Sequence, residues 1–282
     1  MRTPRLRIAD YPRACNPAGM KPVLLVLALA ILGCSSSPSF PGSQQRCPGP
    51  AAPADTSVGS KPIVVLLEAN PWAMVIGSDS PSFALYSDNL VIYRVNAGYK
   101  SVKLAEQDAQ ELLGWLDVDA LACVLGDYET TEWTDQKTTT LFLGRGGQLS
   151  SLSVYGDLGS PKVPVALRSA YTKLRGFQRA DARPWLPEKV EVMVWPYEHA
   201  PDASIVWPRE WPGIDSPETL KRGDSYSIYL PSADYPRLLE FLKGQKEKGA
   251  VEIGGRKWAA AIRLPFPGER MWLESISERP AC

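Results

Sequence analysis

His199 is the only histidine in the chain, and that single count removes several chemistries. A zinc site built on two or more imidazoles has no second ligand, and the five cysteines lack the paired spacing of a thiolate site. A Ser-His-acid triad could use only His199. The nearest nucleophile motif is Gly223-Asp224-Ser225-Tyr226-Ser227, where Ser227 stands in place of the second glycine of a nucleophile elbow. That strained turn needs a position without a side chain, so His199 reads instead as a loop histidine beside Glu198. Gly144-Arg145-Gly146-Gly147 lacks the Gly-Lys-Ser/Thr ending of a phosphate loop and lies between strand-like runs, so it reads as a turn.

Carboxylates and tryptophans supply the remaining candidates. Asp127, Glu129, Glu132 and Asp135 crowd one segment with Trp133. Oxygen ligands at such spacings could hold calcium, but the Asp/Asn-Gly pattern of calcium loops is absent, which favours a solvated acidic loop. The same groups could serve glycoside hydrolysis only at a separation that spacing does not reveal. No catalytic residue, metal or cofactor is therefore assigned. The stretch from Pro184 to Pro217 holds Pro184-Trp185, Trp195-Pro196, Trp207-Pro208 and Trp211-Pro212. Proline stiffens the backbone and tryptophan offers a large amphipathic surface, which suits a rigid rim for a sugar or a peptide. Trp195, Trp207 and Trp211 are the candidate binding residues of that rim. The competing reading packs these rings on the core, and it is favoured because tryptophan is usually mostly buried.

At the amino end, Val23 to Gly33 is an uncharged apolar run that stops at Cys34. Eleven helical residues would span about 16 Å, against the roughly 30 Å of a bilayer core, so the run reads as a signal-peptide core. Ile31-Leu32-Gly33-Cys34 resembles the lipobox of bacterial lipoprotein precursors, with Leu32 a less usual choice at its position. The resemblance covers Met20 to Cys34. It implies that Cys34 receives a diacylglycerol and becomes the first residue of the mature protein, palmitate or another acyl chain holding it to a membrane. Met20-Lys21-Pro22 supplies the short positive region that such a signal needs, so translation is expected to start at Met20 and residues 1–19 to be untranslated or an extended positive region. Ser35 after the cysteine is similar to the pattern of lipoproteins sent to the outer membrane, facing the periplasm.

Residues 34–60 are rich in Ser, Pro, Gly and Ala and read as a disordered tether. Cys47, Cys123 and Cys282 remain after lipidation of Cys34 and loss of Cys15. An exported compartment permits disulfides, and Cys47 with Cys282 is a candidate pair. Cys123 lies in an apolar run and is expected to be buried.

The folded part begins near Lys61. Strands are expected at Ile63 to Leu67, Ala73 to Ile76, Tyr99 to Leu104, Val190 to Trp195 and Tyr226 to Leu230. Hairpins join Phe83–Tyr86 to Leu90–Tyr93, Thr138–Leu143 to Leu149–Tyr155, and Val251–Ile253 through Gly254-Gly255 to Lys257–Leu264. Helices are expected from Glu106 to Leu116, Val165 to Phe177 and Ala233 to Lys243. This gives an α+β fold, mostly antiparallel, with about three helices on one face, and a split near residue 180 into halves 61–180 and 181–282. Phe83 to Phe177 is similar in layout to uncharacterised domains of bacterial lipoproteins, except that Asn89 stands where their hairpins often carry Gly; no activity comes with that likeness.

Charge is balanced, with 31 basic and 31 acidic residues, but five basic and one acidic precede Cys34, leaving 26 against 30. No basic cluster is present to meet phosphates, so nucleic acid is not an expected partner. The leading expectation is a non-enzymatic envelope lipoprotein that binds an envelope protein or glycan. A carboxylate-dependent hydrolase of cell-wall glycan is the rival, and a purely structural lipoprotein the third reading.

Overall fold

Continuous and alternating apolar runs become strands in the computed structural model, which describes residues 60–96, 98–145 and 148–277. The chain opens with β1 (Pro62–Ala69), β2 (Phe83–Tyr86), β3 (Leu90–Val95) and β4 (Gly98–Lys103). Next come α1 (Glu106–Leu116), α2 (Val118–Ala122), β5 (Gly126–Glu129), β6 (Thr138–Arg145), β7 (Gln148–Tyr155), α3 (Val165–Arg175) and β8 (Arg183–Trp185). They are followed by β9 (Lys189–Pro196), β10 (Ile205–Val206), β11 (Leu220–Arg222) and β12 (Ser225–Pro231). A single 3₁₀ turn, Ser232–Asp234, leads into α4 (Tyr235–Lys243), and the described chain ends with β13 (Val251–Ile253), β14 (Arg256–Arg263) and α5 (Arg270–Ser277).

The fold is α+β, with two sheets. The larger runs β5-β7-β6-β1-β2-β3-β4-β8 and the smaller β10-β13-β14-β9-β12-β11. Both are mixed but mostly antiparallel: the parallel pairs are β5 with β7 and β10 with β13, each at a sheet edge.

Both faces of the larger sheet are apolar. In β1, Val64 and Leu66 join one apolar cluster and Val65 and Leu67 another, because alternate side chains leave opposite faces. Phe83 and Leu85 against Ala84 and Tyr86 in β2 divide the same way. A strand covered on both faces reads as an unbroken apolar run, which is why Ile63 to Leu67 shows no alternation. The cluster with Val64 and Leu66 includes Leu112, Leu121 and Leu167 from α1, α2 and α3. The other cluster continues into the smaller sheet through Val190, Val192 and Val194 of β9, and takes in Leu238 of α4 and Trp272 of α5.

Several expectations need correction. Five α-helices stand among the described residues, not about three: α2 and α5 are additional. Asp117 hides α2, since it closes α1 in the left-handed conformation (φ 53°) and its side chain then accepts the Ala120 amide at the start of α2. The helix expected from Val165 to Phe177 stops at Arg175. Ala73 to Ile76 is not a strand but part of a closed loop, because Asn70 Oδ1 and Asp79 Oδ2 accept the amides of Trp72 and Asn70 and turn the chain back. Cys123 is exposed rather than buried. Short edge strands β5, β8, β10 and β11 were not foreseen.

Turn chemistry accounts for two hairpins. Gly254 and Gly255 both take positive φ (59° and 74°) between β13 and β14, as a two-residue hairpin requires. Asn89 does the same at φ 65° between β2 and β3, so it fills the conformation that glycine would otherwise supply. Its amide also donates to Glu106 Oε2 at 2.7 Å, tying the hairpin to the first turn of α1.

Candidate functional site

α1 and α3 wall a groove on the described surface. α1 forms because Ala109, Leu112 and Leu116 recur on one face and are buried there. Glu106 and Asp108 occupy its first turn, where the helix dipole favours negative charge. α3 buries Leu167, Ala170 and Leu174 and ends with Lys173 and Arg175, the favourable sign at that end. The groove between them encloses about 690 Å³. Its floor is Leu104 and Leu112 with the ring of Phe177, and its rim carries Asp108, Glu111, Trp115, Lys173 and Arg179.

Packing beneath and bonding around the groove fix its shape. Phe177 meets Phe83 and Tyr93 edge-on, with centroids 5.3 and 5.0 Å apart. Arg179 donates to Asp108 Oδ2 at 2.9 Å and forks onto Asp181 at 3.0 and 3.2 Å. Those bonds hold the Asp181 carboxyl below its ordinary value and favour the charged form of Arg179. Lys173 Nζ sits 5.9 Å from the Trp115 ring centre and donates to the Trp115 carbonyl, bridging the two helices. Trp115 is 65% exposed, so its indole forms a projecting wall. An apolar floor under a fixed rim of both charges is binding chemistry: the floor gives area and the rim gives orientation. Nothing in the one-dimensional pattern paired Trp115 with Phe177; one is on α1 and the other just past the end of α3, and only the exposed position of Trp115 on an otherwise clean amphipathic helix hinted at it.

The residues singled out from sequence fall elsewhere. Trp207 and Trp211 are 5% and 6% exposed, stack edge-to-face with each other at 5.0 Å, and both meet Phe241 of α4. Trp207 Nε1 donates to the Pro212 carbonyl at 3.0 Å, and Arg237 lies 5.0 Å over the Trp211 ring. The two rings are therefore core side chains of the smaller sheet's half. Trp195 differs: it is 41% exposed, across the strands from Ala259. His199 lies exposed in the turn after β9. Gly223 and Asp224 link β11 to β12 as a hairpin with Arg222 paired to Ser225, so the elbow-like motif is a strand-to-strand turn. Ser227, in the place of the second glycine, is fully buried on β12, and its Oγ has no hydrogen-bond partner among the described residues. Asp127, Glu129, Glu132 and Asp135 are all exposed, and no group of three metal-binding side chains is found among the described residues. Cys34, Cys47 and Cys282 lie outside the described residues, as do Gly146 and Gly147.

A second polar constellation was not visible in sequence. Glu191 is fully buried on β9, and its two oxygens meet Arg222 at 3.3 Å and Arg263 at 2.6 Å. Arg263 also forks onto Glu269 at 3.0 and 2.6 Å, and Glu269 accepts the Phe266 amide at 2.9 Å. Burial and the neighbouring Glu191 push the Tyr229 hydroxyl up to about 12, against the pull of Arg222. The network joins side chains of β9, β11 and β14 to the residue before α5 and acts as an internal tie between them, with Arg222 Nε the one buried atom in it that has no hydrogen-bond partner among the described residues. No helix among the described residues is long and apolar enough to cross a membrane. No protein-family model matches the chain, and neither a curated protein nor a solved structure does.

Proposed function

We propose that the chain is a lipid-anchored protein of the bacterial cell envelope, held by acyl chains on Cys34 at the outer membrane and facing the periplasm, whose folded part is a non-enzymatic binding module. The α1–α3 groove carries that reading: its apolar floor offers area, and its rim, where Arg179 holds Asp108 and Asp181, offers orientation. On this reading α1, α2 and α3 form one layer on the larger sheet, and the ligand lies between the first and third. The partner is a segment of another envelope protein with an apolar stretch and polar flanks, since Glu111 and Lys173 put opposite charges on opposite walls.

A photoreactive phenylalanine at position 115, in cells, tests the groove. A discrete protein adduct is expected that disappears when Glu111→Lys and Lys173→Glu reverse the rim, and that is not formed from position 133, another exposed tryptophan. Equal capture from both positions, or none from 115, removes the proposal. The anchor is tested separately: alkyne-tagged palmitate should label the protein and not its Cys34→Ala variant.

A second reading has one observation in its favour. Asp108 and Glu111 stand one helical turn apart in the same groove, which keeps a carboxylate-dependent glycan hydrolase in view. Release of muropeptides by wild type but not by Glu111→Gln would replace the binding reading with that one.

A further inference from the structure

Between Asn70 and Ser78, where the chain leaves β1, the sequence reads Pro-Trp-Ala-Met-Val-Ile-Gly, without a charge. An apolar run of this kind would be expected to hide its side chains from water. Here Trp72 is 75% exposed, Ile76 61% and Met74 38%, while Val75 in their midst is 1% exposed. Val75 packs with Met193 and Ala259 on the smaller sheet and plugs the loop in place. The backbone closes on itself as well. Asn70 takes the Trp72 amide on its side chain and the Ala73 amide on its carbonyl, and the Val75 carbonyl takes the Ser78 amide. The loop is thus pinned at its centre and at its base, and the exposure of its three large side chains is built in. Trp195, exposed and cross-strand from Ala259, adds a second indole beside the seat of Val75.

We propose that this loop, together with Trp195, is a membrane-contacting surface that seats the folded part against the lipid bilayer. The inference rests on the reading of Cys34 as a lipid anchor. Three observations select a bilayer as the occupant. Tryptophan favours the boundary between headgroups and acyl chains, and Met and Ile suit the acyl side of it. The run holds no charge whose hydration would be lost on entry. The chain outside the described residues also has a matching length. Twenty-six residues separate Cys34 from Lys61, and a Ser-, Pro- and Gly-rich chain of that length spans about 28 Å on average. The eight residues of β1 carry the chain about 26 Å from that junction to the loop. An anchor at Cys34 can therefore hold the loop at the bilayer surface without extending the intervening chain. The consequence is orientation: the acyl chains retain the protein and the loop decides which side of it faces the lipid.

The test uses the full chain, produced with its own leader, in vesicles of phosphatidylethanolamine and phosphatidylglycerol with or without brominated acyl chains. Bromine quenches indoles that reach the acyl boundary. Wild type is expected to be quenched, Trp72→Phe to lose most of that quenching, and Ile76→Asp to weaken it with an unchanged far-ultraviolet spectrum. Trp72→Phe quenched as strongly as wild type overturns the proposal. So does sedimentation in detergent showing a dimer that Ile76→Asp dissociates, because the patch would then serve a second copy. Mass spectrometry of the same sample reads the acyl group on Cys34 independently. Acylation without quenching of Trp72 refutes the loop and leaves the anchor standing; quenching of Trp72 without acylation refutes the anchor and supports the loop.

Discussion

Glu191 is a buried carboxylate between two guanidinium groups, and truncating it would leave Arg263 with one partner in place of two. Breaking a buried pair from one side typically costs about 3–5 kcal/mol, because the remaining charge stays in a poor solvent. Glu191→Ala should fall in that range by urea unfolding, and replacing Glu191 and Arg263 together by Leu and Met should recover part of the loss. Tyr229 adds a pH dependence at the same place. Its hydroxyl titrates near 10 when unfolded and near 12 when folded, so the folded state holds its proton more tightly. That stabilisation is complete below about 10 and is lost as pH rises toward about 12. Stability measured across this window should decline in wild type and decline less steeply in Tyr229→Phe.

At the level of elements, close backbone approach decides more than side-chain chemistry. A Cβ on Gly144, at the end of β6, would lie 2.5 Å from the Pro62 carbonyl and 3.2 Å from Ile63 Cα. The neighbouring register of β1 against β2 already shifts between Pro62 and Val64. Gly144→Ala should therefore cost about 1–3 kcal/mol and lower the thermal midpoint, because backbone cannot yield as a side chain would. The sequence shows why some elements could be read and others not. α1 was legible because Ala109, Leu112 and Leu116 share one face. The hairpin through Gly254-Gly255 was legible because its turn residues are specific. Ala73 to Ile76 misled because a short apolar run looks like a strand, and only the polar ends at Asn70 and Asp79 fold it over. β8 and β10 have three and two residues and no pattern of their own; their pairing is imposed by the sheet edge. For the groove, the helices were foreseen and their meeting was not, since contact between residues about 60 apart leaves no periodic trace.

For the molecule as a whole, one apolar cluster joins residues of both sheets, from Val65 and Phe142 to Val192 and Trp258. A shared core couples the two sequence halves, so far-ultraviolet dichroism and tryptophan emission should trace one coincident urea transition. Separate transitions would show that each sheet holds its own. β9 is the strand on which this coupling depends, with Val190, Val192 and Val194 in the common core and Glu191, Met193 and Trp195 on its other face. Such strict alternation gives the gene a vulnerability that point substitutions do not reveal. Loss or gain of one codon inside β9 would turn its valines outward and drive a carboxylate and an indole into the core, while the same change in the turn at 198–201, where Glu198 and His199 are exposed, would shift no buried face. Inherited insertions and deletions should be filtered out of this strand long before they are filtered out of the exposed turn that follows it.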